Sequence, residues 1–568
     1  MARRSTRSNL SLVPELIAAL WHRGIRPLHV AWRRNWIYRL LLGGRMPDRI
    51  AVQPHDPAPR RLEDANALLR GRFRFHGETV EVEDGSIFDQ APPSPAWEES
   101  LHGFAWLPAL ATAGGESART LAMKLITQWL RRHARYSEPV WRADVMGQRL
   151  INLFAHGRFV LANSDVLWRS KLLLSLREQS RMLARISSEP PDGLPRIKAA
   201  AAHAISGVCL NDQSNRLTSG LQRLEAEIAR QILPDGGHAS RSPEVLLRAY
   251  WLLAIVEDAL QSADTPLTPE LREARDRMAP MLRFFRLGDG ALAMFNGGRE
   301  HDAKAIANLL ARDEVRGQPF AFAPESGYQR LTAGRTVLVM DCGVPPAGAF
   351  ASAAHAGCLS FEFSTGNQRL VVNCGISHDQ PHWNTALRAT AAHSTITLAD
   401  RSMATVMSGR LANLLGPRLM GGPQRIQNNR QETGQGWAVE ASHDGYLREF
   451  GVLHQRRLVL SPNGRLISGD DHLTRIGAPR GRQAIPFAAR FHIHPDVRVS
   501  ANQGGGALLK LASGEGWRFQ CAGAQVSIEE SVYLSNETMR RCHQLVVSGA
   551  MRHEPVTLQW VLERIPPP

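Results

Sequence analysis

The chain has 568 residues, more than one hydrophobic core accommodates, so two or three domains are expected. Hydrophobic residues at 43% and charged residues at 21% exclude wholesale disorder. With 68 Lys+Arg against 53 Asp+Glu the formal charge is +15, and all but five of the cations are arginine. Arginine forks match planar carboxylates and sulfates, which makes an acidic glycan, nucleic acid or an anionic membrane surface candidate partners. A well-solvated Arg-rich surface accounts for the charge equally well. Six cysteines (209, 342, 358, 374, 521 and 542) have no CxxC spacing and read as small reduced core residues. No run of about 18 apolar residues is present, so no transmembrane helix is expected. The basic start is not a clear secretory signal either, since Glu15, His22, Arg23 and Arg26 break its apolar run.

Residues 1–90 form a basic amphipathic segment with short strands. Within 10–42, Trp21, Trp32 and Trp36 alternate with Arg23, Arg33 and Arg34 in a helical pattern. The expectation is a helix with its tryptophan face packed on the next domain; peripheral contact with a membrane surface is the alternative. "GRFRFHGETVEVEDG" alternates like a pair of short strands between Pro-rich stretches.

From 91 to 320 the texture is helical. Leu217, Leu221, Leu224, Ile228 and Ile232 make one stripe, and similar stripes run over 118–132, 145–161, 166–187, 196–210, 243–260 and 270–285. Breaks fall at 187–195, 233–238 and 262–270, giving an α/α array with short loops. From 325 to 568 the segments are short, β-branched and turn-bounded, with hairpin turns at "STGN", "SPNG" and "SGEG". The expected class is α+β multidomain, helices first and an antiparallel β-sandwich second.

The densest polar constellation is "AAHAGCLSFEF…RLVVNCG…HWNTALRATAAHSTITL", centred on 353–395, bringing His355, Asn373, Arg388 and His393 near strand ends. Two imidazoles and an amide on adjacent strands suit a divalent metal or a sugar carboxylate with a proton-transfer group; buried histidines hydrogen-bonded within a sheet are the commoner outcome. "RFHIHPD" places His492 and His494 on one strand face, read as a structural pair.

These segments carry a resemblance. The 353–395 stretch resembles the heparinase II/III-like C-terminal signature, roughly HADALSFEL…LLVDSG…RSTAAHNT. "ESGYQRL" (325–331), "HDGYLREFGVLHQRRLVL" (443–460) and "ARFHIHPDV" (489–497) resemble family segments in the same order. "QILPDGGHASRSPEVLL" (231–247) resembles the family's DG-x-x-x-x-SP helix end. The resemblance spans roughly 95 to 560 and implies a helical toroid before the sandwich. It implies a lyase that cleaves uronic-acid polysaccharides such as heparan sulfate, heparin or alginate by β-elimination. That chemistry needs the uronate carboxylate neutralised, a base at the C5 proton and an acid at the leaving oxygen. It requires no cofactor. In some members the residues matching His355 and His393 hold a structural zinc with an aspartate, for which this chain has Asn373, a neutral and weaker ligand.

Two departures bear on catalysis. Ala353 stands where some members carry a catalytic histidine, and the family's toroid tyrosine falls at or near Val245. A relocated active site, a silent binding protein and a shifted alignment all remain open. Candidate proton-transfer groups are His393, Tyr446, Tyr250 and His238, with His393 and Tyr446 the first choices. Arg388, Arg241, Tyr328 and Asn373 are candidates for substrate contact. The expected function is therefore an acidic-polysaccharide lyase, with a silent acidic-glycan-binding protein of the cell envelope as the alternative. No nucleic-acid partner is expected. The family resemblance implies a periplasmic or envelope location, and the cytoplasm stays open.

Overall fold

The computed structural model describes residues 13–57, 62–210, 215–312, 319–377, 381–477, 483–535 and 539–566. The chain forms two compact units and crosses between them several times. One takes in the chain up to Gln231 with Arg248–Arg275 and Gly409–Gly416; the other takes Ile232–Leu247, Asp276–Ser408 and Pro417–Pro568.

The first unit is helical. Gly115–Arg132, Ala143–Ala155, Val166–Ile186, Leu194–Leu210 and Arg216–Gln231 follow the sequence stripes closely. The stripe read over 145–161 is divided at His156, after which Gly157–Leu161 forms a separate turn; a Cβ on Gly157 would meet Ile50 at 2.6 Å. Small residues let the central helices approach. A Cβ on Gly220 would fall 2.6 Å from the Ala204 backbone, and one on Gly207 2.5 Å from Leu217 N. Arg149 is fully buried here, donating to Gln179 Oε1 at 2.8 Å and His102 O at 2.6 Å, with its guanidinium 4.3 Å from the Trp129 ring centre. The strand pair Arg72–Phe75 and Glu78–Glu81 belongs to this unit, with Phe75 against Trp97.

The N-terminal segment departs from expectation. Val13–Arg34 is one helix, and Val13, Ile17, Leu20, Trp21, Leu28 and Trp32 share one stripe, but that stripe faces outward: Trp21 is 68% and Leu28 70% exposed. The arginine side makes the inward contacts, Arg26 with Glu138 and Arg33 with Glu189 and Tyr136. The following helix, Trp36–Leu41, exposes Trp36 and Leu40 while Arg39 pairs with Glu178 at 3.3 Å. The tryptophan face is thus not packed on the next domain, because ion pairs on the opposite side set the helix's rotation.

The second unit is a pair of antiparallel sheets. One runs, in spatial order, Ile426–Thr433, Gly436–His443, Val452–Leu460, Leu466–Arg475, Val556–Arg564, Gly516–Cys521, Ala507–Lys510 and Arg498–Ala501. The other runs Val526–Leu534, Met539–Met551, Ile485–Ile493, Gln368–Val372, Phe361–Thr365, Thr336–Asp341, Tyr328–Ala333 and Phe322–Ala323, with Ile396–Leu398 paired to Ile485–Ile493. All three Gly-centred hairpins form. The inner faces meet in an aromatic core where Phe361 of one sheet stacks on Trp560 of the other, centroids 5.7 Å apart. Gly469 lies directly opposite Trp560, and any Cβ there would enter the indole. None of the six cysteines is paired with another, and all but Cys521 are buried.

A buried polar chain runs through this core. Arg456 and Asp471 are cross-strand neighbours, with Nε donating to Oδ1 at 2.7 Å and Nη2 to Oδ2 at 3.0 Å. Trp560 Nε1 and His454 Nε2 complete the carboxylate's partners, and His454 Nδ1 meets His443 Nε2 at 3.2 Å. Burial opposes ionisation of Asp471, but Arg456 and His454 outweigh it and hold the group well below the usual carboxylate range. Substituting Asp471→Asn strands a buried guanidinium, so urea unfolding of this unit is expected to lose about 3–5 kcal/mol. A loss under about 1 kcal/mol would mean that the pair contributes little.

Candidate functional site

The family-like stretch 231–247 ends a helix, turns and starts another, and each feature of the turn is spent on cohesion. Asp235 Oδ1 accepts from Gly237 N at 2.9 Å and Ser326 Oγ at 2.8 Å, while Oδ2 accepts from Ser326 N at 2.6 Å. Gly236, at φ 85°, lies against the Arg277 carbonyl where no side chain fits. His238 is buried and its Nδ1 faces Ser240 Oγ at 2.8 Å. Burial pushes this imidazole down to about 3, so it is neutral near pH 7.

Arg241 stands in the left-handed region at φ 57° and is fully enclosed. Its donors reach Ser326 O at 2.7 Å, Gly343 O and Val344 O at 3.1 Å, Gly327 O at 3.3 Å, and the Asp341 carboxylate. The guanidinium lies 4.8 Å from the Tyr328 ring centre. Tyr328 OH donates to Arg241 O at 2.7 Å and accepts from Asn296 Nδ2 at 2.9 Å, and Asn296 Oδ1 accepts from His355 N at 3.1 Å. Burial is the largest influence on this phenol and drives its pKa up.

His355 and His393 do meet. Nδ1 of His355 lies 3.0 Å from Nε2 of His393, and Nδ1 of His393 lies 2.8 Å from Ala389 O. A carbonyl only accepts, so His393 carries its proton on Nδ1, and His355 donates from Nδ1 to the free Nε2 of His393. Burial lowers His393 to about 4. Asn373 is adjacent but spent: Oδ1 accepts from Ser394 N at 3.1 Å, and Nδ2 donates to Met294 O at 3.3 Å. Behind it is Glu362, raised by burial to about 7 and accepting the backbone N–H of Met294 and of Asn373, each at 3.0 Å.

A structural zinc needs four ligands. Two imidazoles already bonded to each other, and an amide oxygen held by a backbone N–H, do not provide them. Among the described residues no group of three or more His, Cys, Asp or Glu is arranged to hold a metal. The residues present do not fit zinc.

The remaining candidates are likewise turned inward. Arg388 donates to Ala354 O at 2.8 Å, Ala351 O at 3.0 Å and Pro417 O at 2.6 Å, which corrects its reading as a substrate contact; the same correction applies to Arg241. Tyr446 caps the one-turn helix Leu447–Phe450 rather than starting a strand, and its fully buried OH donates to Ile396 O at 2.8 Å. Tyr250 lies in the other unit, fully buried beneath Arg275, whose Nη2 donates to its OH at 3.1 Å. His492 Nδ1 faces Ser531 Oγ at 2.8 Å, and His494 lies 3.8 Å from Glu300, so each imidazole of this strand has its own local partner. Ala353 and Val245, where chemistry was expected, are only half-buried and carry a methyl and an isopropyl group. Sequence reasoning missed Asn296, Asp341 and Glu362. The "NGG" at 296–298 was the available signal for the first, since Asn at φ 47° before two glycines marks a special backbone position.

A helical array followed in the chain by two facing antiparallel sheets is the α+β class expected from the sequence. Residues 315–561 match the family model described as "Heparinase II/III-like, C-terminal". FtsZ-localized protein C of Caulobacter vibrioides is 32% identical over 543 residues, covering 94% of this chain and 93% of that protein. Among solved structures, heparinase III superposes with a TM-score of 0.70 at 15% identity, over 99% of this chain and 92% of that one. A mutant of the heparan sulfate lyase HepC from Pedobacter heparinus gives 0.61 at 18% identity, over 98% and 91%. The chain belongs to the heparinase II/III-like family.

The buried neutral histidines set a pH dependence. An unfolded histidine takes up a proton below about 6.5, whereas His393 resists until about 4 and His238 and His492 until about 3. Their contribution to stability is whole above 6.5 and is lost as pH falls towards those values, at about 1.4 kcal/mol per pH unit for each group. Thermal melts from pH 7.5 to 4.5 are expected to fall below 6.5, with a shallower slope in His393→Gln. A flat profile would place these groups in contact with water.

Proposed function

We propose that this chain is a catalytically silent member of the family that binds an acidic glycan at the cell envelope. One observation supports this most directly. The phenols of Tyr328 and Tyr446 and the guanidinium groups of Arg241 and Arg388, the candidates for β-elimination in the sheet-bearing unit, are already bonded to backbone carbonyls, while the positions expected to carry acid or base are Ala353 and Val245. A tyrosine whose pKa burial has raised, and whose proton is held by a carbonyl, is a poor base for a C5 proton. The net charge of +15, mostly arginine, supports affinity for a polyanion. The name of the Caulobacter relative puts that protein with FtsZ; carried to this chain, it favours the envelope at the division site.

The test follows absorbance of the 4,5-unsaturated uronate with heparin, heparan sulfate, chondroitin, hyaluronan and alginate. The expected result is no rise with any polymer and salt-sensitive retention on at least one of them. A rise abolished by His393→Ala or Tyr446→Phe would restore the lyase reading.

A second reading concerns the N-terminal segment. No helix among the described residues is long and apolar enough to cross a membrane. The outward stripe of Val13–Arg34, flanked by exposed Arg23 and Arg34, has the composition of a helix lying in a bilayer interface, tryptophans included. Full-length protein is expected to sediment with anionic vesicles, and Trp21→Glu with Leu28→Glu to abolish it. Equal sedimentation of wild type and double variant would end this reading.

A further inference from the structure

The helical unit contains a cleft of about 480 Å³ between the C-terminal half of Gly115–Arg132 and the first half of Val166–Ile186. That volume is within the range of small-ligand sites. Two indoles line it, Trp141 and Trp168, and both are held rigid by their ring N–H groups. Trp168 Nε1 donates to Thr127 Oγ1 at 2.8 Å, and Trp141 Nε1 to His133 O at 3.0 Å. Trp141 is only 4% exposed and backs the cleft, so the partly exposed Trp168 ring, its polar edge committed, supplies the apolar binding face.

The charges divide in the same way. Three cations line the cleft against two carboxylates, and both carboxylates are engaged: Glu178 by Arg39 at 3.3 Å, and Asp165 by the Trp168 backbone N–H at 2.8 Å as a helix cap. Arg131 and Lys171 are exposed and have no hydrogen bond or ion pair with any described residue. Ser175 Oγ accepts from Gln179 Nε2 at 2.9 Å, so its own proton is left to donate. One rigid indole face, two unspent cations and a hydroxyl donor in one cleft match a pyranose ring with an anionic substituent. The ring's C–H face lies on indole, and its carboxylate or sulfate reaches the cations.

We infer that this cleft is an acidic-saccharide site, taking one uronate or sulfated sugar unit between Trp168 and the Arg131–Lys171 pair. The inference rests on the acidic-glycan reading above and says where on the helical unit the glycan is held.

Calorimetry of the full-length protein with tetragalacturonate tests it, with the methyl-esterified tetramer as a ligand of the same rings without charge. Wild type is expected to bind the acid and not the ester. Arg131→Glu with Lys171→Glu should weaken binding by about tenfold or more, and Trp168→Ala should do the same while Trp168→Phe retains most of it. Arg169→Glu, on the same helix but outside the cleft, serves as the control for charge alone. Thermal melts identify any variant that does not fold, and Arg131 and Lys171, being exposed and unpartnered, carry the test if Trp168→Ala fails to fold. Undiminished affinity in the double charge reversal, or equal loss in Arg169→Glu, would overturn the site while leaving the glycan reading in place. Failure of wild type to bind any acidic oligomer or polymer would overturn both.

Discussion

The buried guanidinium of Arg241 organises what surrounds it. Burying a cation costs several kcal/mol unless each donor is matched, and here four carbonyls and the Asp341 carboxylate match it. Those carbonyls come from the turn just before Tyr328 and the loop after Asp341, so satisfying one side chain ties both segments to the Arg241 turn. The Arg241 carbonyl then receives the Tyr328 phenol, Asn296 links the phenol to the His355 backbone, and the His355 ring meets His393. What looks in outline like a reactive cluster is a chain of structural debts settled in sequence. Because each proton already has an acceptor, recruiting one for chemistry would leave a buried group unpaired.

The core of the sheet unit follows the same rule from the other sheet. Asp471 takes both Arg456 and His454, and Arg456 Nη1 goes on to Leu359 O and Ser394 O at 2.8 Å. Ser394 adjoins His393, so the sandwich core and the histidine pair are held by one polar network. At the N-terminal helix the balance runs the other way. Ion pairs to Glu138 and Glu189 turn the arginine face inward and present tryptophan to solvent, an arrangement that costs exposed apolar surface unless another surface covers it.

Much of the fold was legible in the sequence, for physical reasons that are local. Stripes at helical spacing marked the helices within a few residues, because burial on one face imposes that period. Gly366, Gly464 and the glycine of "SGEG" marked hairpins, because those turns need left-handed backbone. The helix break at His156 was not legible, since the apolar stripe runs on through it to Leu161. The rotation of the N-terminal helix was not legible either. Its amphipathicity gives two faces, and only the positions of Glu138 and Glu189 decide which one turns in.

The candidate site separates the two kinds of knowledge most clearly. Residue types and their order were enough to mark the family-like segments, to find His355 and His393 as partners, and to show that Ala353 and Val245 lack acid–base chemistry. That is covalent information, and no folding changes it. Whether Arg241, Arg388, Tyr328 and Tyr446 face a ligand or a carbonyl is set by which backbone oxygens come within about 3 Å, often from a hundred residues away. The sequence by itself therefore determined the architecture and the loss of expected groups. Only the tertiary structure decided that the polar groups which remain are spent on cohesion, because a hydrogen-bond donor binds whichever acceptor the fold brings to it.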